Sequence, residues 1–285
     1  SRIMSKLRVA ILFGGPSSEH EISCASAAGV LGAIDRSKYE VIPVGITKTG
    51  KWTLAADDAD KWMLRKGQLA SVEDEGNQVA FATEGSRELI LTDASGSRSL
   101  GVVDVVFPVL HGEFGEDGKI QQLLEDVGVA YVGSGVKASA DAMDKARAKE
   151  LFSAAGMKVA PGFVVKRGDA YPDPQTFTYP VFVKPSSGGS SRGTHKVKSP
   201  AQLGPAIDDA FTYDDKVLIE NAINGREIEC AVLERDGTSY ASVVGEIVVN
   251  PQFEFYDFEA KYLDDATTVK IPADIPEADA QAIQI

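Results

Sequence analysis

The chain has 285 residues, 44% of them hydrophobic and 25% charged, the balance of a soluble globular protein with room for two or three packed units. Lysine and arginine number 29 against 42 aspartates and glutamates, a net charge of −13 that argues against a general nucleic-acid or membrane surface. Any anionic ligand must therefore be held by a few placed cations. Cys24 and Cys230 are too few for a disulfide framework, so a reducing cytoplasm is expected.

The sequences at the two ends of the chain can also be interpreted. The letters SRI before Met4 look like an expression remnant, so Met4 is taken as the natural start. The N-terminus has no signal-peptide core, and no apolar stretch approaches membrane-spanning length. The final stretch, IPEADAQAIQI, looks like a helix without a cap.

The first part of the chain alternates between strand and helix patterns. Helical spacing marks SSEHEISCASAAGVLGAI and GKIQQLLEDVG, and buried-strand patterns mark LRVAILFGG, YEVIPVGIT, VVDVVFPVLHG and AYVGSG. This alternation predicts a parallel sheet with right-handed crossovers, in a unit that ends near residue 130. Between residues 50 and 100, a short hairpin is predicted around QVAFATEGSRELILT.

The order of predicted helices and strands changes in the second part of the chain. KASADAMDKARAKELFSAAG predicts one helix capped at Gly156. After it, only PAQLGPAIDDAFT has helical spacing, and the remaining patterns are strands joined by turns: APGFVVK, PVFVKP, THKVK, VLIENAI, REIECAVLE, SYASVVGEIVV and FEFYDFEAKY. The predicted fold class is therefore α/β followed by antiparallel α+β.

A glycine- and serine-rich loop lies inside FVKPSSGGSSRGTHKV, at 182–197. It lacks the Walker pattern, because Lys184 comes before the glycines and both flanks look like strands. Successive amides of such a loop, with Ser190 and Ser191, can cap phosphate oxygens. We interpret the loop as a phosphate cover, and the alternative is a β-hairpin turn.

The stretch VLIENAINGREIEC offers a second candidate. A strand edge with Glu220, Asn221 and Ile223 supplies the acceptor, backbone groups and apolar contact that an adenine ring needs. Glu227 could accept hydrogen bonds from ribose hydroxyls. The alternatives are a solvated strand end and an exposed strand acid.

These residues, in this order, resemble the ATP-grasp fold and, within it, the D-alanine–D-alanine ligase family. The resemblance runs from a helix lysine, Lys145, through the strand lysine and the serine–glycine lid to the IEN edge. It extends over nearly the whole chain from Met4 onward and rests on ILFGGPSSEHEIS, LHGEFGEDGKIQ, YVGSGVKASADAMDK and FYDFEAKYLDD. In that fold the serine–glycine loop is a lid between two antiparallel strands. The three domains it implies are 4–130 for substrate, 131–225 for the central ATP-grasp lid, and 226–285 for the start of the C-terminal ATP-grasp domain.

The resemblance implies a nucleotide site. Lys145 and Lys184 would neutralise the α- and β-phosphates, and Lys261 would reach the γ-phosphate. The lid serine and its neighbouring amides would cover the β- and γ-phosphates. The complete nucleotide set is Lys145, Lys184, Ser190, Ser191, Glu220, Asn221, Ile223, Glu227 and Lys261.

It also implies a D-alanine site. Glu19 would bind the ammonium of the first D-alanine. The spacing of Ser18 and Glu21 fits a capping box, so Glu21 is expected to be structural. His111 would lie near the same substrate, with a locally bonded turn histidine as the alternative.

A tyrosine, Tyr262, would join Ser190 and Glu19 in a network that keeps the incoming group an amine. Relatives that make esters carry phenylalanine there. The catalytic set is Glu19, Ser190, Lys261 and Tyr262, and the substrate set is Glu19, His111 and Tyr262.

The implied activity is ATP-dependent ligation of two D-alanines through an acylphosphate, for peptidoglycan synthesis in a bacterial cytoplasm. The implied cofactors are ATP with Mg²⁺ or Mn²⁺, and the implied assembly is a homodimer. The family's metal ligands are expected beyond Ile285, so no metal ligand is assigned and turnover by this chain is not expected. Two positions depart from the family pattern: Arg192 replaces a small apolar residue in the lid, and Asn221 stands where lysine is common.

Three other functions share part of this sequence pattern. One is a related ATP-grasp ligase that makes a D-alanine–D-lactate ester, and EHEIS with EAKY favours the dipeptide instead. Another is a catalytically silent nucleotide-binding module. A dinucleotide-binding oxidoreductase is excluded because GGPSSE lacks the G-x-G-x-x-G spacing.

Overall fold

A computed structural model describes residues 5–83, 85–188, 191–249 and 267–285. The chain forms two compact units. The first holds the described residues of Ser1–Lys158 and Ser186–Gly189, and the second those of Val159–Pro185 and Ser190–Ile285. The three-domain division stays a prediction. In the part of the chain that the structure describes, no helix is long and apolar enough to cross a membrane.

The first unit contains, in chain order, β1 (Leu7–Gly14), α1 (His20–Ala33), β2 (Tyr39–Ile46), β3 (Trp52–Leu54), α2 (Ala59–Trp62), β4 (Gln78–Phe81), β5 (Glu88–Asp93), β6 (Gly96–Val102), β7 (Val105–Pro108), α3 (Lys119–Val127), β8 (Ala130–Tyr131), α4 (Val136–Met143) and α5 (Lys145–Ala154). Its main sheet has the order β3-β2-β1-β7-β8. All pairings in it are parallel except that between β2 and β3. The predicted parallel sheet is confirmed.

The central strand β1 is buried on both faces from Val9 onward, which explains the unbroken apolar sequence of that part. Val9, Ile11 and Phe13 pack with α1 in one cluster. Ala10 and Leu12 belong to a second cluster, which includes residues of α3 and β5. The hairpin predicted around 78–92 is confirmed as β4 and β5, and β6 extends it to three antiparallel strands.

The second unit contains β9 (Gly162–Lys166), β10 (Val181–Pro185), β11 (His195–Val197), α6 (Leu203–Ala210), β12 (Lys216–Asn221), β13 (Glu227–Glu229), β14 (Val232–Arg235), β15 (Thr238–Ala241), β16 (Gly245–Val249), β17 (Thr267–Lys270) and α7 (Glu277–Gln284), with short 3-10 helices at Pro174–Thr176 and Pro200–Gln202. Its largest sheet is antiparallel, in the order β11-β10-β12-β9. Alternate residues of β10 and β12 are buried with α6 in one cluster. The predicted antiparallel α+β class is confirmed, and FEFYDFEAKY lies outside the described residues.

Three predicted elements are wrong in their extent. The single helix predicted over 137–156 is two helices, α4 and α5, which meet at Asp144. Asp144 has an extended backbone, and its carboxylate accepts from the Arg147 amide as the N-cap of α5. REIECAVLE and SYASVVGEIVV each contain two strands, because β14 pairs with β15 while β13 pairs with β16. The glycine predicted to end this helix does so one residue after the C-cap, Ala155: Gly156 has a φ of +87°, and its amide bonds the Ser153 carbonyl at 3.0 Å.

The end of β1 requires a glycine. Gly14 has a φ of +90°, and a Cβ there would lie 2.4 Å from the Ile46 carbonyl oxygen and 2.9 Å from His20 Cε1. Gly50 has nearly the same φ, +92°, but a Cβ there would meet no atom of the described residues within 4 Å. The two positions therefore separate backbone strain from crowding.

We expect Gly50→Ala to destabilise the fold by about 1–2 kcal/mol, from the left-handed backbone alone. Gly14→Ala should cost about 1–3 kcal/mol more, because the methyl group must also displace a buried carbonyl. Urea unfolding of both variants measures the difference. Equal losses would contradict the close approach at Gly14.

Candidate active site

Two loops leave the same edge of the parallel sheet, one after β1 and one after β7, and this edge is where α/β sheets bind ligands. Glu19 is the N-cap residue of α1 and is only 4% exposed. The Ser17 hydroxyl donates to the His111 carbonyl at 2.7 Å and accepts from the Glu19 amide at 3.1 Å. The structure thus brings the turns that carry Glu19 and His111 together.

The Glu19 carboxylate lies against the second of these turns. A Cβ on Gly112 would lie 2.8 Å from Glu19 Oε2 and 3.0 Å from Ser17 Oγ. The Gly112 amide donates to the Glu116 carboxylate at 2.6 Å, which closes the turn. Only a glycine at position 112 lets this turn come so close to the Glu19 carboxylate.

His111 has a local hydrogen-bond partner. Its Nε2 lies 2.8 Å from the hydroxyl of Ser26, on α1. This contact suits the alternative of a locally bonded turn histidine, and the substrate role of His111 stays a prediction.

The capping box predicted between Ser18 and Glu21 is wrong. The N-cap residue of α1 is Glu19, and among the described residues its side chain makes no capping bond to the first amides of the helix. Glu21 instead forms an ion pair with Lys48 at 2.5 Å. Burial raises the pKa of Glu21. The hydrogen bond and the charge of Lys48 lower it by more, so the net shift is downward. Glu21 is structural, as predicted, through a different partner.

Sequence reasoning missed two buried polar residues beneath these loops. His20 is fully buried, lies 2.6 Å from the Gly15 carbonyl through Nδ1, and accepts the Val72 amide at Nε2 at 2.9 Å. The Ser23 hydroxyl accepts from the Gly14 amide and donates to the Val109 carbonyl, at 2.8 and 2.5 Å. Both satisfy backbone groups of the loops, and polar residues on the core side of a helix were the available signal.

Cys24 is also fully buried in this region. Burial raises the pKa of its thiol to about 12, so the thiolate that a nucleophile requires is not formed near neutral pH. Cys24 is therefore a core residue.

Lys145 begins α5 and lines a cavity of about 490 Å³ in the first unit. Its Nζ donates to the carbonyl of Gly188, in the serine–glycine loop, at 2.6 Å. Glu116 and Gln121 line the same cavity. Gln121 Oε1 is a buried oxygen that has no hydrogen-bond partner among the described residues.

In the second unit, Lys184 and Glu220 form an ion pair at 2.6 Å. Glu220 lies opposite Phe182, and Lys184 lies opposite Leu218, so the two charged side chains share one face of the sheet as diagonal neighbours. Glu220 is only 8% exposed, so its charge is compensated by a cation at close range.

The other residues predicted to bind adenine and ribose lie at the end of β12 and after it. Asn221 and Ile223 are exposed, and Glu227 begins β13. Sequence reasoning missed Arg226, which bonds Glu246 with two hydrogen bonds of 2.8 Å and so joins this turn to β16. The Arg226 hydrogen bonds and charge lower the pKa of Glu246.

The predicted lid is partly described. β10 and β11 are antiparallel, as expected for its flanks, and Ser191 has a left-handed φ of +59°. Ser190, Lys261 and Tyr262 lie outside the described residues. Among the described residues, no group of three or more His, Cys, Asp or Glu side chains could hold a metal ion.

Comparisons with known proteins cover both units. Family models described as "D-ala D-ala ligase N-terminus" and "D-ala D-ala ligase C-terminus" match residues 8–134 and 151–285. The D-alanine–D-alanine ligase of Arthrobacter sp. (strain FB24) is 49% identical, over 96% of this chain and 75% of the relative. The ligase of Mycolicibacterium vanbaalenii is 46% identical, over 98% of this chain and 79% of the relative.

Two solved structures have the same fold. The D-alanine–D-alanine ligase of Coxiella burnetii superposes with a TM-score of 0.79 at 32% identity, over 99% of this chain and 75% of that one. VanG D-Ala:D-Ser ligase of Enterococcus faecalis also gives 0.79, at 33% identity, over 98% of this chain and 80% of that one. Across both units, the chain thus matches 75–80% of the length of each of these ligases.

We expect Lys184→Ala to weaken ATP binding by about 1.5–3 kcal/mol, since a charged contact to phosphate is lost. Lys166→Ala is the matched control, because Lys166 is an exposed lysine at the end of β9 in the same sheet. Calorimetric titration with ATP measures both dissociation constants. An unchanged constant for Lys184→Ala would remove this lysine from the nucleotide site.

Proposed function

Because this chain belongs to the D-alanine–D-alanine ligase family, we propose that it uses ATP to join two D-alanines into D-alanyl-D-alanine. The observation that carries the proposal is the placement of Glu19. A nearly buried carboxylate lies at the ligand-binding edge of a parallel sheet, against the turn of the LHGEFGEDG motif. An ammonium group is the complement of such a carboxylate.

The first D-alanine binds through its ammonium to Glu19, which leaves its carboxylate directed away from this acid. That carboxylate attacks the γ-phosphorus of ATP, the bond to the β-phosphate oxygen breaks, and ADP leaves. Lys145 and Lys184 offset the negative charge of the phosphates. Glu220, Asn221 and Ile223 bind the adenine, and Glu227 binds the ribose.

The acylphosphate is a better electrophile than a carboxylate, which is the reason for the two-step route. The amine of the second D-alanine attacks the acyl carbon, loses a proton, and displaces inorganic phosphate. Ser190 and Ser191 cover the phosphates from the lid, and Lys261 reaches the transferred phosphoryl group. These assignments rest on the family motifs.

A divalent cation, Mg²⁺ or Mn²⁺, would offset charge on the β- and γ-phosphates when bound. The described residues provide no carboxylate cluster for it, so no step is assigned to it here. The product would enter peptidoglycan synthesis in the cytoplasm. We further propose a homodimer that binds neither nucleic acid nor membrane, in keeping with the acidic charge of −13.

Release of phosphate from ATP, with dipeptide detected by mass spectrometry, tests this function in a full-length background, and D-serine and D-lactate are competing second substrates. We expect D-alanine to be required and D-alanyl-D-alanine to be the main product. Glu19→Gln should raise the KM for D-alanine by roughly 10–100-fold, since a charged hydrogen bond is worth about 1.5–3 kcal/mol.

Glu21→Gln is the matched control two residues away, because Glu21 is engaged with Lys48. It should leave the KM for D-alanine near the wild-type value. Similar effects of both substitutions would refute the substrate role of Glu19. Nucleotide binding without any D-alanine-dependent turnover would favour the silent module, and a main product with lactate would favour the ester ligase.

The side chain at 262 should decide between amide and ester products. Tyr262→Phe removes one hydroxyl from the proposed network with Ser190 and Glu19, at a cost of about 1–3 kcal/mol for orienting the amine. A hydroxyl nucleophile is neutral at working pH and should lose less, so the variant should gain D-alanyl-D-lactate at lower pH. Product ratios with both acceptors present measure this, and an unchanged ratio in a folded variant would contradict it.

A further inference from the structure

The start of α5 is joined to the start of the serine–glycine loop by a compact set of hydrogen bonds. The amides of Lys145 and Ala146 donate to the carbonyl and the hydroxyl of Ser186, at 2.7 and 3.1 Å. The Ser186 hydroxyl in turn donates to Asp144 Oδ1, which also accepts the Arg147 amide at 3.3 Å. Ser186 is fully buried. We call this arrangement the Ser186–Asp144 clamp.

The clamp does more than cap a helix. An ordinary N-cap satisfies one or two of the first amides from its own side chain, and the others bind water or an anion. Here the first three amides of α5 all bond to the clamp: two bond Ser186, about forty residues further along the chain, and the third bonds Asp144. Because those donors are occupied, the backbone at this helix start is not available to hold a phosphate.

Positive charge for a ligand must therefore come from the Lys145 side chain. Its Nζ is held at 2.6 Å by the carbonyl of Gly188, two residues beyond Ser186. The clamp fixes the Lys145 backbone at one end, and the loop carbonyl fixes its ammonium at the other. A lysine side chain loses conformational entropy when it binds a ligand. Because the Lys145 side chain is already held at both ends, less entropy remains to be lost on binding.

We propose that Ser186 and Asp144 are positioning residues that hold the Lys145 ammonium where the nucleotide phosphates bind. The proposal rests on the proposed function, since it takes Lys145 as a phosphate ligand. Neither residue touches the nucleotide. Their effect on affinity passes through the lysine, so it must disappear when the lysine is absent.

A double-mutant cycle tests this dependence by calorimetric titration with ATP. Ser186→Ala alone should weaken ATP binding about five- to tenfold, the loss expected from one buried hydrogen bond. Lys145→Ala should weaken it at least as much. The double variant should bind like Lys145→Ala alone, because the clamp then has no ammonium to position.

Asp144→Asn and Asp144→Ala supply the second test, which does not depend on the serine substitution folding. Asparagine keeps an oxygen that can accept from Ser186 and Arg147, so its dissociation constant should lie closer to wild type than that of the alanine variant. Asp58→Ala is the matched control, since Asp58 caps α2 by accepting from the Asp60 amide at 3.0 Å. It should leave ATP binding unchanged.

The outcomes separate the clamp from the proposed function. Additive losses from Ser186→Ala and Lys145→Ala, or equal losses from both Asp144 variants, would overturn the clamp and leave the ligase assignment in place. If Lys145→Ala binds ATP as tightly as wild type, the clamp has nothing to position and is also overturned. Phosphate release dependent on D-alanine would still report on the ligase in that case.

Discussion

The geometry of the first unit depends on the pairing of β1. This strand is hydrogen-bonded to β2 on one side and β7 on the other, and it is buried on both faces. The carboxyl end of β1 is therefore fixed relative to its two neighbours, and the loops after β1 and β7 leave the sheet side by side. The contacts between Ser17, Glu19 and the turn at His111 follow from that adjacency. Fully buried parallel strands are suited to this task because a one-residue shift in register would turn every side chain to the opposite face, into the wrong core cluster.

Electrostatics impose the second constraint. The chain carries a net charge of −13, so a nucleotide with several negative charges meets an unfavourable overall field. The structure places its candidate cations against protein oxygens: Lys184 against Glu220 and Lys145 against the Gly188 carbonyl. Each lysine is thus oriented by a nearby oxygen. At short range the attraction between a lysine and a phosphate outweighs the repulsion from the distant acidic residues, because salt screens that repulsion.

Most of the fold could be predicted because its signals are local or periodic. Strand–helix alternation identified the parallel sheet, and turns between short strands identified the antiparallel part. The break at Asp144 could not be predicted, because residues on both sides favour a helix and the break is stabilised by Ser186. The prediction of a capping box was wrong for a related reason, since Glu21 binds Lys48, which is distant in sequence. For the site, residue types pointed to the chemistry, but the Lys184–Glu220 pair depends on strand register, which the sequence does not reveal.

The burial of Cys24 has a practical consequence for spectroscopy. The chain has two cysteines, and the Cys24 thiol, with a pKa of about 12 and no exposed surface, is closed to maleimides and other thiol reagents in the folded state. Cys230 is only half-buried and lies in the second unit. The natural sequence thus offers a single attachment point for a fluorophore or spin label, without removal of any native residue.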